Sequence, residues 1–261
     1  MIGLKEKEDN TEKLTSLENR NVKIWRKLLT KKGRREYNSF IVEGMHSVKD
    51  ALNSSWEVEC LIFSEHFKDI EKFNKFKVKK FIINNRITRL ISQTESPQGI
   101  FAIVKIKEFS IDFKEKRFVI LDRIQDPGNL GTIIRTADAA GFNTIILDKG
   151  SVDPLNPKVI RSSQGSLFHL KIINSDIKRI IEKLKDRGVK ILGTSPKGNK
   201  IYTDVNIEDR LGIVFGNEAN GIRDDVLSMC DETIRIPIYG KAESLNVSVS
   251  SGIILYHFAK K

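Results

Sequence analysis

The chain has little cysteine: Cys60 and Cys230 are the only two among 261 residues. Neither has a second cysteine nearby, which excludes a CxxC motif, a zinc pattern and a disulfide framework. A reducing, cytoplasmic setting fits this usage. The four histidines, His46, His66, His169 and His257, show no metal-ligand spacing, and no metal is expected. Long apolar runs are also missing. Nothing reaches the roughly 18 consecutive apolar residues of a membrane span. The opening stretch MIGLKEKEDNTEKL has no apolar h-region, so no secretory signal is expected. Acidic residues are in deficit, 34 against 45 basic ones, for a net charge of +11. Such an excess points to a polyanionic partner, nucleic acid ahead of an anionic membrane. What is present is ordinary for a globular protein: 39% hydrophobic and 30% charged residues, enough apolar matter to build cores.

Residues 1–15 are polar and aperiodic and read as a mobile tail. A first unit is expected over 16–107. Ser16 is placed to cap a helix carrying Leu17, Ile24, Trp25, Leu28 and Leu29 at helical spacing. This helix is basic, and no acid interrupts positions 19–35. Gly33 reads as a turn. Strands are expected at 40–42, 58–63, 78–83 and 100–106, with helices at 44–53, 66–75 and 86–93. Alternating strands and helices imply a small α/β domain. The polar stretch 108–117 reads as a linker. A second α/β unit follows over 118–261, with strands near 118–121, 144–147, 169–173, 189–193, 212–215 and 233–237. The spacing argues for a mostly parallel sheet with helices on both faces.

Three stretches carry chemistry. In the first, LDRIQDPGNLGTIIRTA, a strand ends at Leu121 and a Pro-Gly turn leads into a helix that Asn129 is placed to cap. Arg135 lies midway along that helix among small and apolar residues. A cation packed there wants an anion. The second stretch, LGIVFGNEANGI, is again a strand followed by a glycine turn. Its Gly216-to-Gly221 spacing resembles a P-loop, but Ile-Arg follows instead of Lys-Ser/Thr, which rules out a Walker motif. The glycines suit close approach of backbone to a ligand. Glu218 is placed to accept hydrogen bonds from a substrate, to order Arg135, or simply to favour a helix N-terminus. The third, IPIYGKAESLNVSVSSG, runs from a strand through a loop into a small-residue helix for which Ser244 is a candidate cap.

Together and in this order, NLGTIIRTADAAGF, IVFGNEANGI and IPIYGKAESLNVSVSSGI resemble the three motifs of the SpoU (TrmH-type) RNA methyltransferases of the SPOUT superfamily. NVKIWRKLLTKKGRREYNSFIVEG and SPQGIFAIV resemble that family's substrate-binding domain. The likeness covers about residues 17–259. It implies a catalytic α/β domain with a deep trefoil knot, an exception to the rule against threaded chains, beside a smaller α/β RNA-binding domain. It implies a homodimer with sites near the subunit interface. It also implies methyl transfer from S-adenosylmethionine to a ribose 2′-hydroxyl, with ribosomal RNA preferred and transfer RNA as the alternative substrate.

On matching positions, Asn129, Arg135, Glu218, Ser244 and Asn246 would be the catalytic and substrate residues. Thr194, Gly216, Ile236 and Leu245 would hold the cofactor. The family role of Arg135 is deprotonation of the ribose hydroxyl. A guanidinium pKa of about 12.5 or more makes alkoxide stabilisation or phosphate holding the easier task. Lys31, Lys32, Arg34 and Arg35 would grip RNA phosphates, and Lys158 and Arg161 would position the target nucleotide. Two rivals use other machinery. A non-catalytic RNA-binding protein on the same fold would not need Arg135, Glu218 and Asn246. A Rossmann enzyme would want GxGxxG after the first strand, where this chain has DPGNLG.

Overall fold

The computed structural model describes residues 11–259. The chain divides into two compact units after Ile106.

The first unit is a five-stranded mixed sheet with helices packed on it. Its elements are β1 (Thr11–Leu14), α1 (Arg20–Leu28), α2 (Lys31–Tyr37), β2 (Ser39–Glu43), α3 (Met45–Asn53), β3 (Val58–Ser64), β4 (Lys79–Ile83), α4 (Asn85–Ile91) and β5 (Ile100–Lys105). The strand order is β1-β4-β3-β5-β2. β1 and β3 run parallel to β4, while β5 runs antiparallel to β3 and β2. One core joins Val22, Trp25 and Leu28 of α1 to Ile87 and Ile91 of α4 and to Ile62, Phe81 and Phe101 of the sheet. Trp25 meets Phe81 edge-on with centroids 5.2 Å apart.

Several expectations need correction here. Part of the expected tail is a strand: Thr11–Leu14 pairs with Lys80–Ile83, and Leu14 is buried. The remainder of that tail, 1–10, lies outside the described residues. The cap of α1 is Asn19, whose side chain accepts the Asn21 N–H at 2.8 Å, and not Ser16. Gly33 is no turn. It lies inside α2, which Thr30 caps. A Cβ at Gly33 would stand 2.0 Å from the Lys27 carbonyl oxygen. Only glycine lets α2 start so close to the end of α1. The helix expected over 66–75 is a single 3-10 turn, Ile70–Phe73.

The second unit is a seven-stranded, wholly parallel sheet. Its strands are β6 (Arg117–Leu121), β7 (Thr144–Asp148), β8 (Lys171–Ser175), β9 (Lys190–Thr194), β10 (Lys200–Ile201), β11 (Leu211–Phe215) and β12 (Glu232–Arg235). The order is β10-β12-β9-β11-β6-β7-β8, and every pairing is parallel. The helices are α5 (Pro127–Ala139), α6 (Pro157–Ser162), α7 (Ile177–Lys185), α8 (Asp224–Leu227) and α9 (Val247–His257). Phe118–Leu121, Ile145–Leu147 and Ile213–Phe215 are buried at every position. A parallel sheet covered on both faces produces such continuous apolar strands. Residues 107–116 form no helix or strand but pack on this unit. Ile111 and Phe113 cover its core, and Arg187 stacks 4.1 Å from the Phe113 ring centre.

Candidate active site

The sheet order gathers the three motifs. β9, β11 and β6 are neighbours, and β12 flanks β9. Their carboxyl ends therefore open on one edge, where open α/β sheets bind ligands.

After β6 the chain turns into α5. Asp126 is the cap of α5, not Asn129. Its Oδ1 accepts the Asn129 N–H at 2.8 Å, with Pro127 as first helical residue. Proline needs no N–H partner at that position, so Asp-Pro is a natural helix start. Asn129, freed from capping, points its amide elsewhere. Its Nδ2 donates to Glu218 Oε1 at 3.1 Å, and its Oδ1 accepts Asn246 Nδ2 at 3.0 Å. Glu218 also accepts the Gln125 N–H at 3.2 Å and the Asp126 N–H at 3.0 Å. Burial works against the Glu218 carboxylate, but the Asp126 N–H and Asn129 amide outweigh it and hold the group below the ordinary carboxylate range.

Glu218 sits in a tight knuckle after β11. Asn217 and Gly221 exchange backbone hydrogen bonds at 3.0 and 2.9 Å. The Asn217 side chain accepts the Ala219 and Asn220 N–H groups and donates to the Arg123 carbonyl. A Cβ at Gly216 would lie 2.1 Å from the Ile222 nitrogen, so the position admits glycine alone. The helix expected to follow this turn is the four-residue α8, so Glu218 is not a helix N-terminal acid.

Asn246 is the cap of α9; its Oδ1 accepts the Ser248 N–H at 2.8 Å. Ser244, expected as that cap, is an exposed residue of the loop before it. Three motif residues, Asn129, Glu218 and Asn246, thus form one hydrogen-bonded chain. Arg135 does not join it. It is exposed on α5 and has no hydrogen-bond or ion-pair partner among the described residues. The packed environment expected for it is absent in the single chain. At about 100° per residue, it lies roughly 120° around the helix from Asn129. Glu218 therefore does not order it.

Of the four cofactor candidates, Thr194 ends β9 and donates to the Val214 carbonyl at 2.9 Å. Gly216 follows β11 and Ile236 follows β12, half-buried. Leu245 is 36% exposed in the loop before α9.

The basic candidates separate. Lys31, Lys32 and Arg35 are exposed. Arg34 is buried, and its Nη1 donates to the Leu28 and Leu29 carbonyls at 3.1 Å. It holds the carboxyl end of α1 and is unavailable to phosphate. Lys158 is exposed with its Nζ 3.8 Å from Asp126 Oδ2, beside the start of α5. Arg161 is exposed on α6. Sequence reasoning missed Asp126, Asn217 and the buried carboxylates Asp122 and Asp148 with their half-buried partner Arg223. The Asp-Pro pair was the available signal for Asp126.

Residues 116–256 match the SpoU rRNA Methylase family, and residues 19–102 match the MRM3-like substrate binding domain. The 23S rRNA (guanosine(2553)-2′-O)-methyltransferase RlmP of Bacillus subtilis is 35% identical over 94% of this chain and 98% of that protein. An AdoMet-bound rRNA methyltransferase from Sinorhizobium meliloti superposes with a TM-score of 0.86 at 31% identity, covering 95% of this chain and 97% of that one. The SpoU methyltransferase AviRb from Streptomyces viridochromogenes, in complex with AdoMet, gives 0.85 at 26% identity over 92% and 97%.

Proposed function

Because the chain belongs to the SpoU rRNA methylase family, we propose that it moves a methyl group from S-adenosylmethionine to a ribose 2′-hydroxyl of ribosomal RNA. The observation that carries this reading is the Asn246–Asn129–Glu218 chain at the carboxyl ends of the strands. It ties together three segments remote in sequence, and a common ligand site explains why polar groups meet there.

The cofactor would be held by Gly216, Ile236 and Leu245, with Thr194 alongside. Its sulfonium supplies an activated methyl group and a good leaving group. The protein's task is then positioning and charge management. Asn129 and Asn246 offer amide groups to the ribose and its neighbours, and Glu218 fixes their orientation. Ser244, exposed beside Leu245, contributes a hydroxyl. Arg135 stabilises the developing alkoxide or holds the adjacent phosphate, roles a permanently charged guanidinium performs without deprotonating.

Since Arg135 has no partner among the described residues of its own chain and points away from Asn129, a second copy completes the site. Val249 and Tyr256 are 52% and 59% exposed, one heptad apart on α9, and a homodimer would cover them. The carboxyl-terminal segment is proposed to be knotted. Lys31, Lys32 and Arg35 bind RNA phosphates, and Lys158 and Arg161 place the target nucleotide. Among the described residues no helix is long and apolar enough to cross a membrane, and the cytoplasm is the proposed location.

The test uses the purified chain, tritiated S-adenosylmethionine and separate unmodified pools of 23S rRNA, 16S rRNA and transfer RNA. Nuclease digestion then locates the label. Label on a ribose 2′-oxygen of ribosomal RNA is the expected result. Label confined to transfer RNA would reassign the substrate, and failure to bind the cofactor would sink the enzymatic reading.

A further inference from the structure

Two carboxylates are buried at the carboxyl ends of adjacent strands. Asp122 directly follows β6 and is fully buried; Asp148 ends β7 and is 6% exposed. Asp148 Oδ1 accepts the Ile177 N–H at 3.2 Å. Buried carboxylates require compensating charge. Most of it comes from Arg223, at the far end of the knuckle that follows β11. The Arg223 N–H donates to Asp122 Oδ2 at 2.8 Å, and its Nε donates to Oδ1 at 2.9 Å. Its Nη2 donates to Asp148 Oδ2. The order β11-β6-β7 is what lets one side chain span both strand ends. The guanidinium does this with Nε and Nη2 held at a fixed separation in one plane, a geometry that a lysine ammonium lacks.

The neighbouring backbone is held against its preference. Arg123 has φ of +56°, a left-handed conformation that costs a non-glycine residue energy and persists where its surroundings enforce it. Its Nε lies 3.4 Å from Asp122 Oδ1, and its carbonyl accepts the Asn217 amide. The 216–223 segment is therefore tied down at both ends. Asn217 and Glu218 fasten one end to the β6–α5 turn, and Arg223 fastens the other to the ends of β6 and β7.

We infer that Arg223, bridging Asp122 and Asp148, is a positioning residue that sets the place of the 216–223 segment, and through it of Gly216 and Glu218, for methyl transfer. This rests on the proposed methyl-transfer site. Arg223 acts through the loop and touches no reacting atom.

The experiment uses the full chain with Arg223→Gln, Glu218→Gln, Arg223→Lys, Asp148→Asn and the double variant Arg223→Gln/Glu218→Gln. Calorimetry reads cofactor Kd, steady-state kinetics read kcat and the KM for RNA, and thermal melts confirm folding. Arg223→Gln is expected to raise cofactor Kd by about tenfold, equivalent to about 1.4 kcal/mol, and to lower kcat. The KM for RNA should stay near that of the parent. Arg223→Lys and Asp148→Asn should fall between Arg223→Gln and the parent. The double variant should be less impaired than the product of the two single effects, the sign of a shared route. A folded Arg223→Gln protein with Kd and kcat within about twofold of the parent overturns the inference, as does strict additivity. If that variant does not fold, unchanged constants in both Arg223→Lys and Asp148→Asn overturn it equally. Leu245→Ala and Arg135→Ala run in parallel. If they are impaired while the Arg223 variants are not, only the positioning role fails. If they too are unchanged, the proposed site itself has failed.

Discussion

Two sets of candidate residues, one in each unit of the chain, use their polar side chains in opposite ways. In the second unit, Asn129, Glu218 and Asn246 bond to one another and to backbone, so each fixes the next. In the first unit, Lys31, Lys32 and Arg35 stand exposed on a short helix. A bonded network holds a geometry and is lost when one member changes. A set of exposed cations supplies a field that tolerates displacement and sums over its members. Arg34 shows that the division follows burial and not residue type. It lies among these cations in sequence and yet works as a structural donor to two carbonyls.

The sharpest way to break this comparison is Arg135→Ala. It should lower kcat by at least about 10²–10³-fold, the scale of losing one group that stabilises transition-state charge, while RNA affinity survives. A gel-shift titration beside single-turnover methylation checks both halves, and an active variant removes Arg135 from the chemistry. Next in size is Glu218→Gln. Its amide is a weaker acceptor for the Gln125 and Asp126 N–H groups, and a loss of about tenfold or more in kcat/KM is expected.

The same group makes a prediction about acid. Its carboxyl is held low in the folded state, so its contribution is complete above the ordinary carboxylate pKa and disappears as pH falls through the depressed folded value. At pH values near neutrality the parent's cofactor affinity should owe no slope to Glu218. A midpoint near neutrality that vanishes in Glu218→Gln would contradict this assignment.

Smaller effects separate the basic residues. Arg34→Met should cost about 1–3 kcal/mol of stability by leaving the Leu28 and Leu29 carbonyls unpaired, with the salt slope of RNA binding unchanged. Neutralising Lys31, Lys32 and Arg35 should do the reverse. Stability should hold, while the slope of log K against log salt flattens by about 0.7–0.9 for each phosphate that is no longer neutralised. Equal behaviour of the two sets would erase the distinction between them.

Much of the architecture was legible because it rests on local patterns. Apolar runs such as Phe118–Leu121 and Gly212–Phe215 announced buried parallel strands. The misreadings have a common cause. Ser16, Asn129 and Ser244 are good capping residues, but Asn19, Asp126 and Asn246 are also good ones nearby, and propensity does not choose between them. Gly33 read as a turn because glycine usually punctuates; its actual reason is the Lys27 carbonyl against it.

The sequence by itself determined the two α/β units, the basic stretch at 19–35 and the three motifs that place the chain in its family. Those follow from composition, period and order along the chain. Which polar group meets which was decided only by the tertiary structure. The Asn129–Glu218 and Asn129–Asn246 hydrogen bonds span 89 and 117 positions, and the Arg223–Asp122 and Arg223–Asp148 pairs span 101 and 75. Pairing at that separation depends on strand order. A parallel sheet sets that order by packing helices on both of its faces, a constraint that acts across the whole unit and leaves no local trace in the residues it brings together.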